Sequence, residues 1–285
     1  MYGYNGTTTL VTGASKGLGR AYAQELARRG SHLVLVARST PALDQLASEI
    51  RAAHPVDVHV IGADLSDPTG PAAIVEELHR QGLTVDLLVN NAGMGSVGPF
   101  FDRPLDQNLR SVDLNITGLM LMTRLIGTSM LERGSGGIIN VASTAAFLPM
   151  PYQASYGATK AFVLSFTEAL AEELQNTEVR VMAAHPGATA TGFFDNTTAV
   201  MDPGRTDTPA AVAAKTLDDF ARGRTTSYPG RPSNRASTWA VRLLPRRTVT
   251  RVAGGINRRA GFHQAQDTRP RRTGLDGGAP VGAQA

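Results

Sequence analysis

The stretch "TTTLVTGASKGLGRAYAQELARRG", residues 7–30, joins a short β-branched run, a glycine-rich turn and an amphipathic helical pattern. The run ends in small and polar residues, as expected of a strand buried on both faces of a parallel sheet. Gly13, Gly17 and Gly19 are spaced G-x-x-x-G-x-G, which differs from the G-x-G-x-x-G dinucleotide fingerprint. The physics is shared. Missing side chains let the backbone approach a pyrophosphate, and the following helix points its free N–H groups at that anion. Without a ligand the same residues are only a glycine-rich turn. Gly30 stands where a helix C-cap is expected.

The pattern repeats outward from this unit. Further apolar runs fall at "HLVLVAR", "VDVHVIGAD", "VDLLVNNAG", "GGIINVAS" and "EVRVMAAHPG", with "TTSYPG" as a possible last strand. Helical patterns lie between them. One begins at Thr40 and Pro41 as N-cap and first helical position, and others are "PAAIVEELHRQG", a long run from about Leu105 to Arg133, and one from about Ala154 to Asn176. Another is "TPAAVAAKTLDDFARG". Such alternation calls for right-handed crossovers and an α/β fold, a Rossmann-type doubly wound parallel sheet of about seven strands. Residues 1–262 are expected to form one such domain, and the break from Ala188 to Thr208 reads as a mobile loop. Residues 263–285 have too few apolar side chains to pack and read as a disordered tail.

Composition narrows the chemistry. The chain contains no cysteine, which excludes disulfides, thiolate nucleophiles and Cys-ligated metals and suits a cytoplasmic home. No apolar run approaches membrane-crossing length, and the N-terminus lacks the layout of a secretory signal. The six histidines, His32, His54, His59, His79, His185 and His263, show no metal-ligand spacing, so no metal is expected. His185 can line a site, although a packing role suits it better. The net charge of +4 is unevenly spread: residues 222–285 hold 13 Arg and 2 acids, and the preceding residues hold 15 basic and 22 acidic side chains.

Five ordered motifs identify the chain as resembling the short-chain dehydrogenase/reductase family. They are "TGASKGLG" (Thr12 to Gly19), "NNAG" (Asn90 to Gly93), Ser143, Tyr156 with Lys160 in "SYGATK", and Pro186-Gly187. The resemblance covers roughly residues 5–230. It implies hydride exchange between a nicotinamide cofactor and a ketone or 3-oxoacyl group, with Tyr156 as proton donor or acceptor. A free phenol with a pKa of about 10 is a slow acid at neutral pH, and Lys160, one helical turn on, is expected to favour the phenolate. The family also implies that Lys160 reaches the nicotinamide ribose. Ser143, at the C-terminal edge of the fifth strand, is placed to donate to the substrate oxygen. Asn115 in "DLNITG" matches the family's fourth catalytic position, where it would order water toward the lysine.

Cofactor contacts implied by the resemblance are Gly13, Ser15, Lys16, Gly17, Leu18 and Gly19 in the turn, then Asp64 and Leu65 near the adenine. Asn91, Ala92 and Gly93 follow near the ribose, with Tyr156, Lys160, Pro186, Gly187 and Thr191 at the nicotinamide. Asn90 is expected to steady the sheet. The residue after the second strand distinguishes a ribose hydroxyl from a 2′-phosphate. Here "VLVARST" places Arg38 and Ser39 there, with Lys16 in the turn, so NADP(H) is expected.

An apolar ketone is the expected substrate, in a pocket built from Met94, Phe100, Phe147, Met150, Tyr152, Phe193 and Phe194 with the C-terminal segment. Residues 222–262 mix Trp239 and leucines with arginine. The favoured reading is that their apolar side covers the cleft or packs on another subunit. Contact with an anionic membrane surface and recognition of an acidic acyl carrier compete with it, and Pro245 weakens the membrane case by breaking any long helix. Nucleic-acid binding is least favoured. A homodimer or homotetramer is expected from the family. The alternative of another class is a catalytically silent NADP-binding sensor or scaffold, against which the full catalytic set argues.

Overall fold

Strand β1 (Thr8–Thr12) is the third strand of a seven-stranded parallel sheet in the computed structural model, beside the central one. The structure describes residues 2–194, 197–198, 204 and 206–266. The other strands are β2 (His32–Ala37), β3 (Val58–Gly62), β4 (Leu87–Asn90), β5 (Gly136–Val141), β6 (Val179–Ala184) and β7 (Thr226–Ser227). Their order is β3-β2-β1-β4-β5-β6-β7. The strand sequence therefore reverses direction beside β1, between β1 and β4, which opens a crevice at the carboxyl edge there.

Alternation along each strand builds two cores. Val11, Leu33, Leu35, Leu87 and Val89 face one layer, and Leu10, Val34, Val36 and Leu88 face the other. Helices α1 (Gly17–Arg28), α2 (Thr40–Ala53) and α7 (Pro209–Ala221) cover the first face through Tyr22, Leu26, Leu43, Leu46, Leu217 and Phe220. Helix α3 (Gly70–Arg80) and α5 (Leu119–Arg133) cover the second through Ile74, Leu78, Met122, Ile126 and Met130. Each such fully buried Leu, Ile or Phe contributes roughly 1.5–3 kcal/mol. Three layers follow from period-two strands between amphipathic helices.

Local details differ from expectation in instructive ways. Helix α1 ends on Arg29 as C-cap, and Gly30 follows with φ of 82°, a left-handed turn that glycine adopts without strain. Helix α2 begins one residue earlier than expected, with Ser39 before it and Pro41 in its first turn. The expected helix from 105 to 133 is three pieces in one run: α4 (Leu105–Val112), a π-helical turn Asp113–Gly118, and α5. That run meets the length and composition of a membrane-crossing helix, its most apolar 18-residue window having a mean hydropathy of 1.2. This corrects the reading that no apolar run is long enough. Much of that apolarity is spent on the sheet, where Met122 and Met130 are fully buried.

Helix α6 (Ala154–Glu173) packs beside it. The C-terminal segment forms α8 (Pro232–Leu243) and α9 (Arg246–Arg259), broken at Pro245 as expected. Residues 263–266, expected to open a disordered tail, are packed: Ala265 is buried with Phe262 against Val97, and the Gln266 N–H donates to Thr198 Oγ1 at 3.0 Å. The rest of that tail, residues 267–285, lies outside the described residues, as do 195–196, 199–203 and 205 of the loop read as mobile.

Candidate active site

The crevice beside β1 is built from backbone. Thr12 Oγ1 accepts from the N–H groups of Asn91 and Ala92, both at 3.0 Å, and Asn91 Nδ2 donates to the Thr12 carbonyl at 3.0 Å. These bonds fasten the end of β4 to the turn before α1. Gly13 has φ of 67°, and a Cβ there would lie 2.9 Å from the Ala92 Cα; at Gly19 it would strike the Gly13 carbonyl. Only glycine lets the two chain segments come this close. No side chain caps the first turn of α1, and no acid lies in it, so its N–H groups remain available to an anion.

Beneath the end of β2, Arg38 is 63% exposed at its side chain, with Nη1 3.9 Å from Asp64 Oδ2; Arg110 Nη2 lies 3.5 Å from the same oxygen. Asp64 Oδ1 accepts from the Ser66 N–H at 3.0 Å and hydroxyl at 2.7 Å. Burial raises the Asp64 carboxyl, but the Ser66 bonds and the two guanidinium charges outweigh it and hold it below its usual range. Lys16 Nζ lies 3.4 Å from the Gly192 carbonyl across the cleft.

Tyr156 enters the first turn of α6, and Lys160 follows on the same face. Ser143 ends the extended stretch after β5; its Oγ accepts from the Ala145 N–H at 3.1 Å, donates to the Pro186 carbonyl at 3.5 Å, and is near enough to the Tyr156 hydroxyl to favour its phenolate. Lys160 is buried, donates to the Val141 carbonyl at 2.7 Å and lies 6.0 Å from the centre of the Tyr156 ring. Burial pulls the Lys160 ammonium down to about 8. The same burial pushes the Tyr156 phenol up, and the Ser143 hydroxyl offsets only part of that. The expected drop in the phenol's pKa is thus not seen in the protein alone. Removing water from both groups outweighs an ammonium that sits over the ring and spends a hydrogen bond on Val141.

Asn115 lies in the π turn, fully buried. Its Nδ2 donates to the Met94 carbonyl at 2.7 Å and to Thr159 Oγ1 at 2.9 Å, and its Oδ1 accepts from the Met94 N–H at 2.9 Å. The extra residue of the π turn aims this side chain between the strand-end loop and α6. Asn90 joins Asn140 Oδ1 at 2.9 Å and Thr123 Oγ1 at 3.0 Å, a buried link across β4 and β5 that matches its expected steadying role.

All of the expected cofactor residues except Gly19 line one cleft of about 1630 Å³, together with Ser143, Tyr156 and Lys160. Gly19 and Asn115 stand behind its wall. The pocket expectations fare less well. Met150 and Phe193 line the cleft, with the Phe193 ring 5.2 Å from that of Tyr156. Phe100 and Tyr152 instead border a separate surface hollow of about 290 Å³. Phe147 packs against His185, Met94 stays outside the cleft, and the Phe194 side chain lies outside the described residues. His185 is buried between Phe147 and Tyr228, and burial holds its ring neutral, down to about 4. The far wall comes from α8 and α9, where Val249, Val252, Ala253 and Ile256 repeat at helical spacing. That stripe was the readable signal for the substrate wall. Among the described residues no group of acids and histidines is placed to hold a metal ion.

The sequence model of the short chain dehydrogenase family matches residues 7–202. The chain belongs to this family. A very-long-chain 3-oxoacyl-CoA reductase of Bos taurus is 36% identical over 228 residues, 79% of this chain and 72% of the relative. A short-chain dehydrogenase of Sphingobium yanoikuyae in complex with NADPH superposes with a TM-score of 0.74 at 33% identity, covering 83% of this chain and 93% of that one. A short-chain dehydrogenase/reductase of Burkholderia phymatum in complex with NAD gives 0.75 at 27% identity, covering 84% and 94%. As a short-chain dehydrogenase the chain is an oxidoreductase that interconverts a ketone and an alcohol with a nicotinamide cofactor. The glycine cradle at one end and the Tyr156–Ser143 pair at the other fit such a dinucleotide in both shape and donor chemistry.

Proposed function

We propose that this short-chain dehydrogenase prefers NADP(H) and reduces a large apolar ketone or 3-oxoacyl group. The observation that carries the reading is the convergence of Tyr156, Ser143 and buried Lys160, one turn on from Tyr156, in the same cleft as the glycine turn. Support for the phosphate-bearing cofactor comes from Arg38, Ser39 and Lys16, which line the cofactor end. Support for an apolar substrate comes from the α8–α9 wall, where Val241, Leu244, Val249, Val252 and Ile256 line the cleft. The bovine relative's name points the same way.

When bound, the nicotinamide supplies or accepts hydride. The chain's own part is the proton. Tyr156 gives its phenolic proton to the substrate oxygen, and Ser143 donates a hydrogen bond to the charge that develops there. Lys160 holds a positive charge beside the phenol, and Asn115 keeps the Met94 loop and α6 in register around it. Residues 1–262 would act as one domain in the cytoplasm, with 222–262 closing the substrate end. A homodimer or homotetramer is favoured by the apolar side chains left on α4, α5 and the turn before them, among them Leu109, Met120 and Phe101.

NADPH consumption with ketones of increasing chain length tests the reading. Tyr156→Phe should lower turnover by at least about a hundredfold while nucleotide binding, followed by fluorescence, persists. Tight nucleotide binding by the unaltered protein with no ketone turned over would instead favour a binding protein.

A further inference from the structure

We infer that the α8–α9 corner docks on an anionic lipid surface. Leu243 is 85% exposed, and Trp239 and Leu244 near it in the chain, with Val252 and Ile256 on α9, are each at least half exposed. A cluster of large apolar side chains facing water at one corner marks a contact surface. Its charge names the contact. From Arg222 to Gln266 the chain holds ten arginines and no acid, whereas residues 1–221 carry 22 acids against 15 basic groups. Arg246, Arg247 and Arg251 are exposed and form no ion pair among the described residues. Trp239 lies under Arg242, whose guanidinium is 5.9 Å from its ring. An aromatic ring and leucines at headgroup depth, flanked by arginines on short helices, are the elements of an interfacial anchor. Pro245 does not abolish that surface. It divides it between two short helices, with Leu243 and Leu244 at their junction.

Charge also argues against the other occupants. A two-fold contact between two such caps would set ten arginines against ten more, which repel. An acidic acyl carrier would match the arginines but leave Leu243 and Trp239 without a partner. The acidic body turns away from an anionic surface, so the molecule docks cap first. Leu244, Val252 and Ile256 line the cleft as well, so docking turns the cleft mouth to the lipid. Entry of a lipid-dissolved ketone by that route depends on the reductase reading; the docking itself does not.

Trp239 is the single tryptophan and therefore a built-in reporter. The full chain is titrated with vesicles of phosphatidylcholine, alone or mixed with phosphatidylglycerol, while Trp239 emission and co-sedimentation are followed. A blue shift with the mixed vesicles that weakens in salt is expected. Each arginine near an anionic surface is worth about fivefold in partitioning, so Arg246→Glu with Arg247→Glu should weaken binding by well over about tenfold. Leu243→Glu should weaken it by about tenfold or more. None of these three residues lines the cleft, so turnover of a small water-soluble ketone should stay within about twofold in both variants, which also shows that they fold. The inference is overturned if neither vesicle shifts the emission or if the variants bind unchanged. It is equally overturned if Leu243→Glu splits a dimer in light scattering, or if an acidic acyl carrier alone moves the signal. Docking without ketone turnover would sink only the reductase reading, and turnover without docking would sink only this one.

Discussion

Lys160→Met should make the nucleotide-free enzyme more stable at neutral pH and nearly inactive. Lys160 ionises at about 8 in the folded chain and at 10.5 unfolded. At 1.36 kcal/mol per pH unit, that gap means burial of the charge costs the fold about 3 kcal/mol. Methionine fills a similar volume without the charge. It also leaves the Val141 carbonyl without the 2.7 Å bond from Lys160, a loss of about 1–2 kcal/mol. The net gain is about 1–2 kcal/mol, or roughly 2–6 °C in melting temperature for a chain of this size. The sign follows from proton counts. Below pH 8 lysine is charged in both states and the full burden applies. Between about 8 and 10.5 the unfolded chain holds more protons, so the stability of the unaltered protein rises with pH. The advantage of methionine should shrink over that window and reverse above it, where only the lost Val141 bond remains. Paired guanidinium melts at about pH 7 and about pH 10 read this directly. A variant less stable at neutral pH, or a difference that ignores pH, would refute the reasoning.

Arg38→Ala should weaken NADPH binding by about ten- to a hundredfold and leave NADH binding within a few fold, as measured by calorimetric titration. Asn115→Leu strands the Met94 N–H, while the Met94 carbonyl keeps its bond from Ser111 and the Thr159 hydroxyl its bond to the Tyr156 carbonyl, and a loss of about 1–3 kcal/mol in a guanidinium melt is expected. His185 ionises at about 4 folded against 6.5 unfolded, so the unfolded chain takes up its proton first as pH falls, and stability drops across that window by up to about 3 kcal/mol. His185→Phe should flatten that part of the acid-unfolding profile.

Much of this fold is readable because its strands are buried on both faces. "HLVLVAR" and "VDLLVNNAG" announce themselves as apolar runs ending in polar residues, and the glycine turn places the nucleotide end. The site residues converge because the motifs all end strands on one sheet edge, where topology gathers them. The π turn was not readable. "DLNITG" is poor in helix formers but carries nothing that distinguishes a π turn from a weak α turn, and its extra residue shows only in how Asn115 reaches both Met94 and Thr159. Aromatic roles were also hidden. Phe147 and Tyr152 follow the same strand end as Ser143, yet one turns to pack on His185 and the other adopts a φ of 67° away from the cleft. Residue type says that an aromatic will be covered, not by what. The start of the tail is hidden in the sequence because Phe262 and Ala265 are too few to form a run, but they suffice to cap a small satellite core on Val97.

The ionisation of the Tyr156–Lys160 pair resists reading for a different reason. Spacing alone makes the ammonium a stabiliser of the phenolate, and that holds for groups in water. Burial acts on both at once and in opposite senses: it lifts the phenol above 10 and drops the amine to about 8. Their order is thereby inverted. As pH rises the amine gives up its proton before the phenol does, so across the range where Tyr156 would ionise, Lys160 is no longer charged to help it. At neutral pH both groups keep their protons. The resting site is therefore a proton donor, which suits carbonyl reduction. Taking a proton from an alcohol demands more phenolate stabilisation than Lys160 and Ser143 provide by themselves.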